Sequence, residues 1–266
     1  MIRLLLAFVS CSALGVFGHR IVQSNSALNK PTSDSLLIKK MMQAYPDHFI
    51  EATDNVLTWR DGTRMIFDDS IPNKDRKQRN ETPDIEDMFY YPYPKGMPQD
   101  TPAWRFNPGT IRYEPFFKKM YGQTKADVQA NLVDIVWLEH TASPITLKVT
   151  RVNGIADKIK QISEELEQRT DLLPYLVKPG GTFNWRVIAG TDQLSMHSFG
   201  IAVDINVKHS HYWRWSKEDP ITKTHPYKNK IPYDIVEVFE RYGFIWGGRW
   251  HNYDTMHFEY RPELFL

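Results

Sequence analysis

The chain has 266 residues, enough for one good-sized core or one domain with a substantial extension. Its 41% hydrophobic and 24% charged content is that of an ordinary globular protein, and a net charge of +1 gives no general reason to bind nucleic acid. A single cysteine, Cys11, excludes a disulfide framework.

The first segment, MIRLLLAFVSCSALGVFGHR, has one early cation at Arg3, an apolar run from Leu4 to Phe17 and small residues near its end. This pattern predicts a secretory signal over residues 1–18 with cleavage before His19. The run is shorter than the roughly 20 residues of a bilayer span, so no stable membrane span is expected once the signal is removed. The mature chain would be exported to the periplasm or the extracellular side of a bacterial envelope. It would carry no cysteine, because Cys11 lies inside the signal. An uncleaved anchor is one alternative; lipidation at Cys11 is a minor one, given the weak match of Phe8, Val9 and Ser10 to a lipoprotein signal.

Residues 19–125 read as an irregular N-terminal extension. It opens with a polar linker to about residue 35. Alternation around Asp61 and Gly62 (VLTWRDGTRMIF) predicts a hairpin between Phe49 and Phe67, since Asp-Gly readily takes the positive backbone angles of a tight turn. The next stretch, DDSIPNKDRKQRNETPD, is charged and turn-rich and reads as a surface loop. From Tyr90 to Pro115 the chain carries many prolines and aromatics, a composition that opposes helix and favours an extended segment wrapped over another surface.

Residues 126–266 read as a compact α+β domain, a small antiparallel sheet with flanking helices. Lys125 to Trp137 has helical character, and PITLKV from Pro144 reads as a strand. Ile155, Ile159, Ile162 and Leu166 recur at helical intervals between Gly154 and Arg169, predicting an amphipathic helix. PGGTFNWRVIAG, from Pro179, is a turn and a short strand. Gly200 to Asn206 alternates, turning Asp204 away from the apolar face. Pro232 to Tyr242 reads as a second helix, with Pro in its first turn and Gly243 just past its end. Thr255 to Tyr260 alternates again, with His257 and Glu259 sharing a face. If the two alternating strands pair, His197, Asp204 and His257 converge. Two imidazoles and a carboxylate suit Zn²⁺ with one open position, and Asp254 would stand at the lip of that site. The same residues also read, one by one, as hydrogen-bonded structural histidines and a turn-forming aspartate.

The two stretches together, S-x-H-x-x-G-x-A-x-D (Ser195, His197, Gly200, Ala202, Asp204) and W-x-x-x-D-x-x-H-x-E (Trp250, Asp254, His257, Glu259), resemble the M15 metallopeptidases. That group holds zinc D-alanyl-D-alanine carboxypeptidases and L-alanyl-D-glutamate endopeptidases. The resemblance implies one Zn²⁺ held by His197, Asp204 and His257, with Asp254 as general base and then acid. Arg186, in NWRVIAG, matches an arginine implied to stabilise the oxyanion or pair with substrate. Glu259 would orient a ligand imidazole, and Ser195 would cap the loop or bond near the substrate. His251 is not expected to be a ligand, and the aromatic stretch from Lys208 to Pro220 would form one wall of a cleft. The implied activity is zinc-dependent hydrolysis of amide bonds in peptidoglycan stem peptides. Two rivals remain at this stage, a non-catalytic wall-binding module with structural zinc and a non-peptidase metallohydrolase.

Overall fold

The computed structural model describes residues 33–53, 55–98, 101–221 and 224–266. The expected signal, Cys11 and the cleavage position before His19 lie outside them.

Helix α1 (Ser33–Ala44) leads into a meander of β1 (Phe49–Thr53), β2 (Val56–Trp59) and β3 (Arg64–Ile66), paired antiparallel in that order. The β2–β3 turn falls at the Asp61-Gly62 pair, where Asp61 Oδ1 accepts from Thr63 N at 3.0 Å. Residues 68–84 are not the plain surface loop expected. They include α2 (Arg76–Glu81), closed by a reciprocal cap between Asp75 and Gln78. Lys74 is buried beneath it, with Nζ 2.7 Å from Asp69, 2.9 Å from Asp84 and 2.6 Å from Asp87. A charge-rich composition hid this because burial of an ammonium depends on three carboxylates meeting it in space.

Residues 90–98 and 101–113 form the extended strap expected from Tyr90 to Pro115, whose last two residues instead open the next helix. Tyr93 OH donates to Glu240 at 2.6 Å and accepts from Trp246 N at 2.9 Å. Trp250 Nε1 donates to the Pro108 carbonyl at 2.7 Å, and Asn252 N donates to Asn107 Oδ1 at 3.0 Å. The strap is therefore fastened along the connection between the last two strands of the chain.

Helix α3 (Glu114–Tyr121) buries Phe116, Phe117, Met120 and Tyr121. Phe116 packs on Tyr45 and Trp59, with ring centroids 5.6 and 5.7 Å apart, while Phe117 meets Phe199 at 6.0 Å. One core thus runs without a break from the N-terminal meander to the C-terminal half. The helix expected over 125–137 is shorter than that. Thr124 and Asp127 cap α4 (Lys125–Ala130), and Leu132–Trp137 forms β4, paired with β5 (Ile145–Thr150) from Leu132↔Thr150 to Trp137↔Ile145. Val133, Ile135 and Val136 are β-branched, and a partner strand was available to them.

Helix α5 (Ile155–Leu166) buries Ile155, Ile159, Ile162 and Leu166, the stripe the spacing predicted; each such side chain contributes roughly 1.5–3 kcal/mol. After α6 (Leu173–Leu176) come β6 (Pro179–Gly181), β7 (Ala202–Asn206), α7 (Tyr233–Arg241), β8 (Phe244–Trp246) and β9 (His257–Tyr260). The last sheet is antiparallel in the order β6-β7-β9-β8. Phe258 of β9 stacks on Phe239 of α7 at 4.0 Å, so β9 turns one face to the helices and the other, with His257 and Glu259, to the strap side. The architecture is α+β, with small antiparallel sheets among helices.

Removing the Lys74 charge leaves three neighbouring carboxylates without their shared cation. Lys74→Met is expected to destabilise the fold by about 3–5 kcal/mol, seen as a lower midpoint in urea unfolding with an unchanged slope. A shift below about 1 kcal/mol would mean the cluster is solvated and contributes little.

Candidate metal centre

The β7–β9 register places Asp204 opposite His257 and Ala202 opposite Glu259. Directly opposed residues project to the same side of a sheet, so one carboxylate and one imidazole meet by pairing alone. The third group comes from a tight turn before β7. Ser195 caps the 3₁₀ turn Met196–Phe199, its Oγ accepting from His197 N at 3.4 Å. Gly200 ends the turn at φ +68°, where a Cβ would sit 2.7 Å from Leu132 Cδ2, so conformation and space both demand glycine. Ser198 fixes the turn from behind, accepting from Arg186 N at 3.0 Å and donating to Arg186 O at 2.8 Å.

His197 Nε2, Asp204 Oδ1 and His257 Nδ1 lie 3.0–3.2 Å from one another. The outer ring nitrogens fix the tautomers. His197 Nδ1 is 2.6 Å from the Thr182 carbonyl, which can only accept, so this nitrogen carries a proton. His257 Nε2 is 2.9 Å from Glu259 Oε2 and donates to it. With both imidazoles neutral, two lone pairs and a carboxylate oxygen point at one spot. Such a set repels itself unless a cation lies among its members, and two nitrogens with one oxygen are donors zinc accepts. The residues therefore fit a divalent metal.

Without the ion, protons must stand in for it. Burial disfavours the His257 imidazolium, but its bonds to Asp204 and Glu259 outweigh this and push its pKa up to about 10. Asp204 is pushed up by burial, yet the two imidazoles hold its carboxyl well below the usual carboxylate range. Glu259, fully buried, is raised by desolvation but brought down to about 2 by Arg112, His257 and Arg261.

Asp254 stands next to this group. Its backbone pairs with Tyr212, and its carbonyl accepts from His257 N at 3.3 Å. Burial raises its pKa to about 6; His257 opposes the shift and the Asp204 charge adds to it. Its Oδ1 is shut off from solvent and has no hydrogen-bond partner among the described residues. That is an unspent acceptor beside a cation site, the property a proton acceptor needs.

The structure thus brings His197, Asp204, His257 and Glu259 into contact, with Asp254 beside them, and gives Ser195 the capping bond. The Arg186 backbone is tied to the His197 turn, but its guanidinium is exposed and reaches no donor of the cluster; its bond is to the Val187 carbonyl at 3.5 Å. His251 instead meets Trp104 ring to ring at 4.6 Å. Sequence reasoning missed Thr182, which orients His197, and the arginines at 112 and 261, which flank Glu259. Thr182 acts through its main chain, which leaves no side-chain signature.

A family model described as D-alanyl-D-alanine carboxypeptidase matches residues 189–260. The matched stretch contains His197, Asp204, Asp254, His257 and Glu259, and it supports the M15 resemblance carried by the two motifs. No curated protein and no solved structure matches the chain.

Metal uptake has to displace the His257 proton at neutral pH. Titrating zinc into metal-free protein at pH 7 should release about one proton per ion, read as a heat that changes with the ionisation enthalpy of the buffer. Affinity should fall as pH falls. His197→Ala, Asp204→Ala and His257→Ala should each lose the metal; full zinc content in all three would show that the ion sits elsewhere.

Proposed function

We propose that this M15-type peptidase is an exported zinc enzyme that hydrolyses amide bonds in peptidoglycan stem peptides, as a D,D-carboxypeptidase or a related endopeptidase. The peptidase domain would cover residues 126–266, preceded by an extension over residues 19–125. The observation that carries the reading is the convergence of His197, Asp204 and His257 within 3.0–3.2 Å beside Asp254, whose Oδ1 has no hydrogen-bond partner among the described residues. The family match over residues 189–260 supports the choice of substrate class.

Zinc held by the three donors would supply Lewis acidity, polarising the scissile carbonyl and making water nucleophilic near pH 7. The chain's own part is proton handling and placement. Asp254 receives the proton of the attacking water and returns it to the leaving amine. Thr182 and Glu259 hold the two imidazoles in the tautomers that leave the inner nitrogens free. The exposed guanidinium of Arg186 is free to meet an oxyanion or a substrate carboxylate, as its planar donor fork suits.

Purified protein loaded with zinc and incubated with defined muropeptides should release products whose masses identify the cut bond. Asp254→Asn should keep zinc and lose about 10²- to 10⁴-fold in turnover. Arg186→Ala should keep zinc and lose about 10²- to 10³-fold. Activity needs Asp254 as the carboxylate, so it falls as pH drops through its pKa. A bound cation lowers that value, which puts the acid limb below about 6. Arg186→Ala should retain this limb and Asp254→Asn should lose it. Near-wild-type turnover in zinc-replete Asp254→Asn would end the mechanism. Muropeptide binding without cleavage by the wild type would favour a wall-binding module.

Export makes a separate prediction. Protein recovered from the envelope fraction should begin near His19 on N-terminal sequencing, and full-length chain confined to the cytoplasm would refute it.

A further inference from the structure

The face of β9 that carries His257 also carries Glu259, a carboxylate with no exposed surface. Its Oε2 accepts from two donors, His257 Nε2 at 2.9 Å and Arg112 Nη2 at 2.6 Å. Among the described residues its other oxygen has only a longer contact, to Arg261 Nη1 at 3.4 Å. Two of that guanidinium's nitrogens are engaged elsewhere, with Nε 2.5 Å from Glu263 and Nη1 2.6 Å from the Gly109 carbonyl, while Nη2 has no partner among the described residues. Arg112 is therefore the close cationic partner of the oxygen that orients His257. It lies on the strap, 147 residues away in sequence.

The strap is built to deliver it. Pro108 and Asn107 are tied to Trp250 and Asn252, as described above. At Gly109, with φ +81°, a Cβ would lie 2.3 Å from Ile245 Cδ1, so glycine lets the main chain close on β8. Three residues later Arg112 enters the interior, 8% exposed. Without Arg112 the Glu259 carboxylate would lose the contact that holds Oε2 and would be free to swing toward Arg261. His257 Nε2 would then lose a fixed acceptor, and the ring would no longer be held with Nδ1 toward Asp204.

We infer that Arg112, supplied by the N-terminal strap, is a positioning residue of the metal centre, acting through Glu259 on His257. The extension would then be a working part of the site, and not an appendage to a self-sufficient C-terminal domain. The inference rests on the metal reading of His197, Asp204 and His257; it is independent of which bond is cut.

The test uses the full chain with Arg112→Met, Arg112→Lys, Glu259→Gln and the double change Arg112→Met with Glu259→Gln. Zinc affinity is measured by competition with a chromophoric chelator, and the visible spectrum of the cobalt-loaded protein reports ligand geometry. Melting of each metal-free variant establishes that it is folded. Arg112→Met should weaken zinc binding about 10- to 100-fold and alter the cobalt spectrum, and Arg112→Lys should restore part of the loss. In the Glu259→Gln background, Arg112→Met should cost nothing further, since its effect runs through the missing carboxylate. That comparison stands even if the single Arg112→Met variant fails to fold, because the double change buries no unpaired anion. Wild-type zinc affinity and spectrum in folded Arg112→Met, or an added loss in the double variant, would overturn the inference. Wild-type protein that takes up no zinc would overturn the metal reading beneath it. Wild-type protein that binds zinc but cuts no stem peptide would refute the proposed activity and leave the role of Arg112 standing.

Discussion

A carboxylate buried without water has to be compensated from the protein side, and Glu259 sets that requirement at the centre of this molecule. Two arginines approach it, Arg112 from the strap and Arg261 from the end of β9. Arg261 is in turn matched by Glu263, whose second oxygen accepts from Tyr45 OH at 2.7 Å. Two guanidinium and two carboxylate groups balance in charge, and they draw together α1, the strap, β9 and the last residues of the chain. Arg261 also lies over the Phe117 ring, 5.2 Å from its centroid, joining the ionic interior to the aromatic core of α3.

The donor cluster inherits its geometry from that charge balance. Antiparallel register sets Asp204 against His257, and a glycine-terminated turn swings His197 into the same space. Register alone fixes where the imidazole of His257 stands, without fixing which nitrogen faces inward. That is decided by an acceptor on the far side, Glu259 for His257 and the Thr182 carbonyl for His197. The donor cluster is thus two layers deep, and the outer layer draws on parts of the chain distant from the motifs. Asp254 is treated differently. Among the described residues its Oδ1 is buried with no hydrogen-bond partner, a cost to folding.

Much of this was legible in the residues themselves. The period-2 patterns of β7 and β9 implied which side chains share a face, and the two motifs identified three donors and the neighbouring Asp254 before any pairing was known. The amphipathic stripe of α5 and the proline-rich strap were equally plain, because each depends on local spacing or local backbone restriction. The stretch over 125–137 misled because its residues tolerate helix or strand. Pairing with β5 gave Leu132–Trp137 its form, and a partner strand cannot be read from the segment that lacks it. Lys74 misled for a related reason, since a lysine in a charged run looks solvated until the fold closes three carboxylates around it.

What the sequence determined by itself was the chemistry on offer: an α+β pattern, two imidazoles and a carboxylate able to converge, and an aspartate beside them expected to act as general base. Tertiary structure alone decided how that chemistry is held. Ring tautomers, the buried charge balance and the entry of Arg112 depend on contacts between residues as far apart as 218 positions. Such contacts leave no periodicity, because each is a single interaction whose partners are selected by packing in three dimensions. Motif spacing records what a short length of chain can present; the compensation of a buried charge is a property of the whole fold.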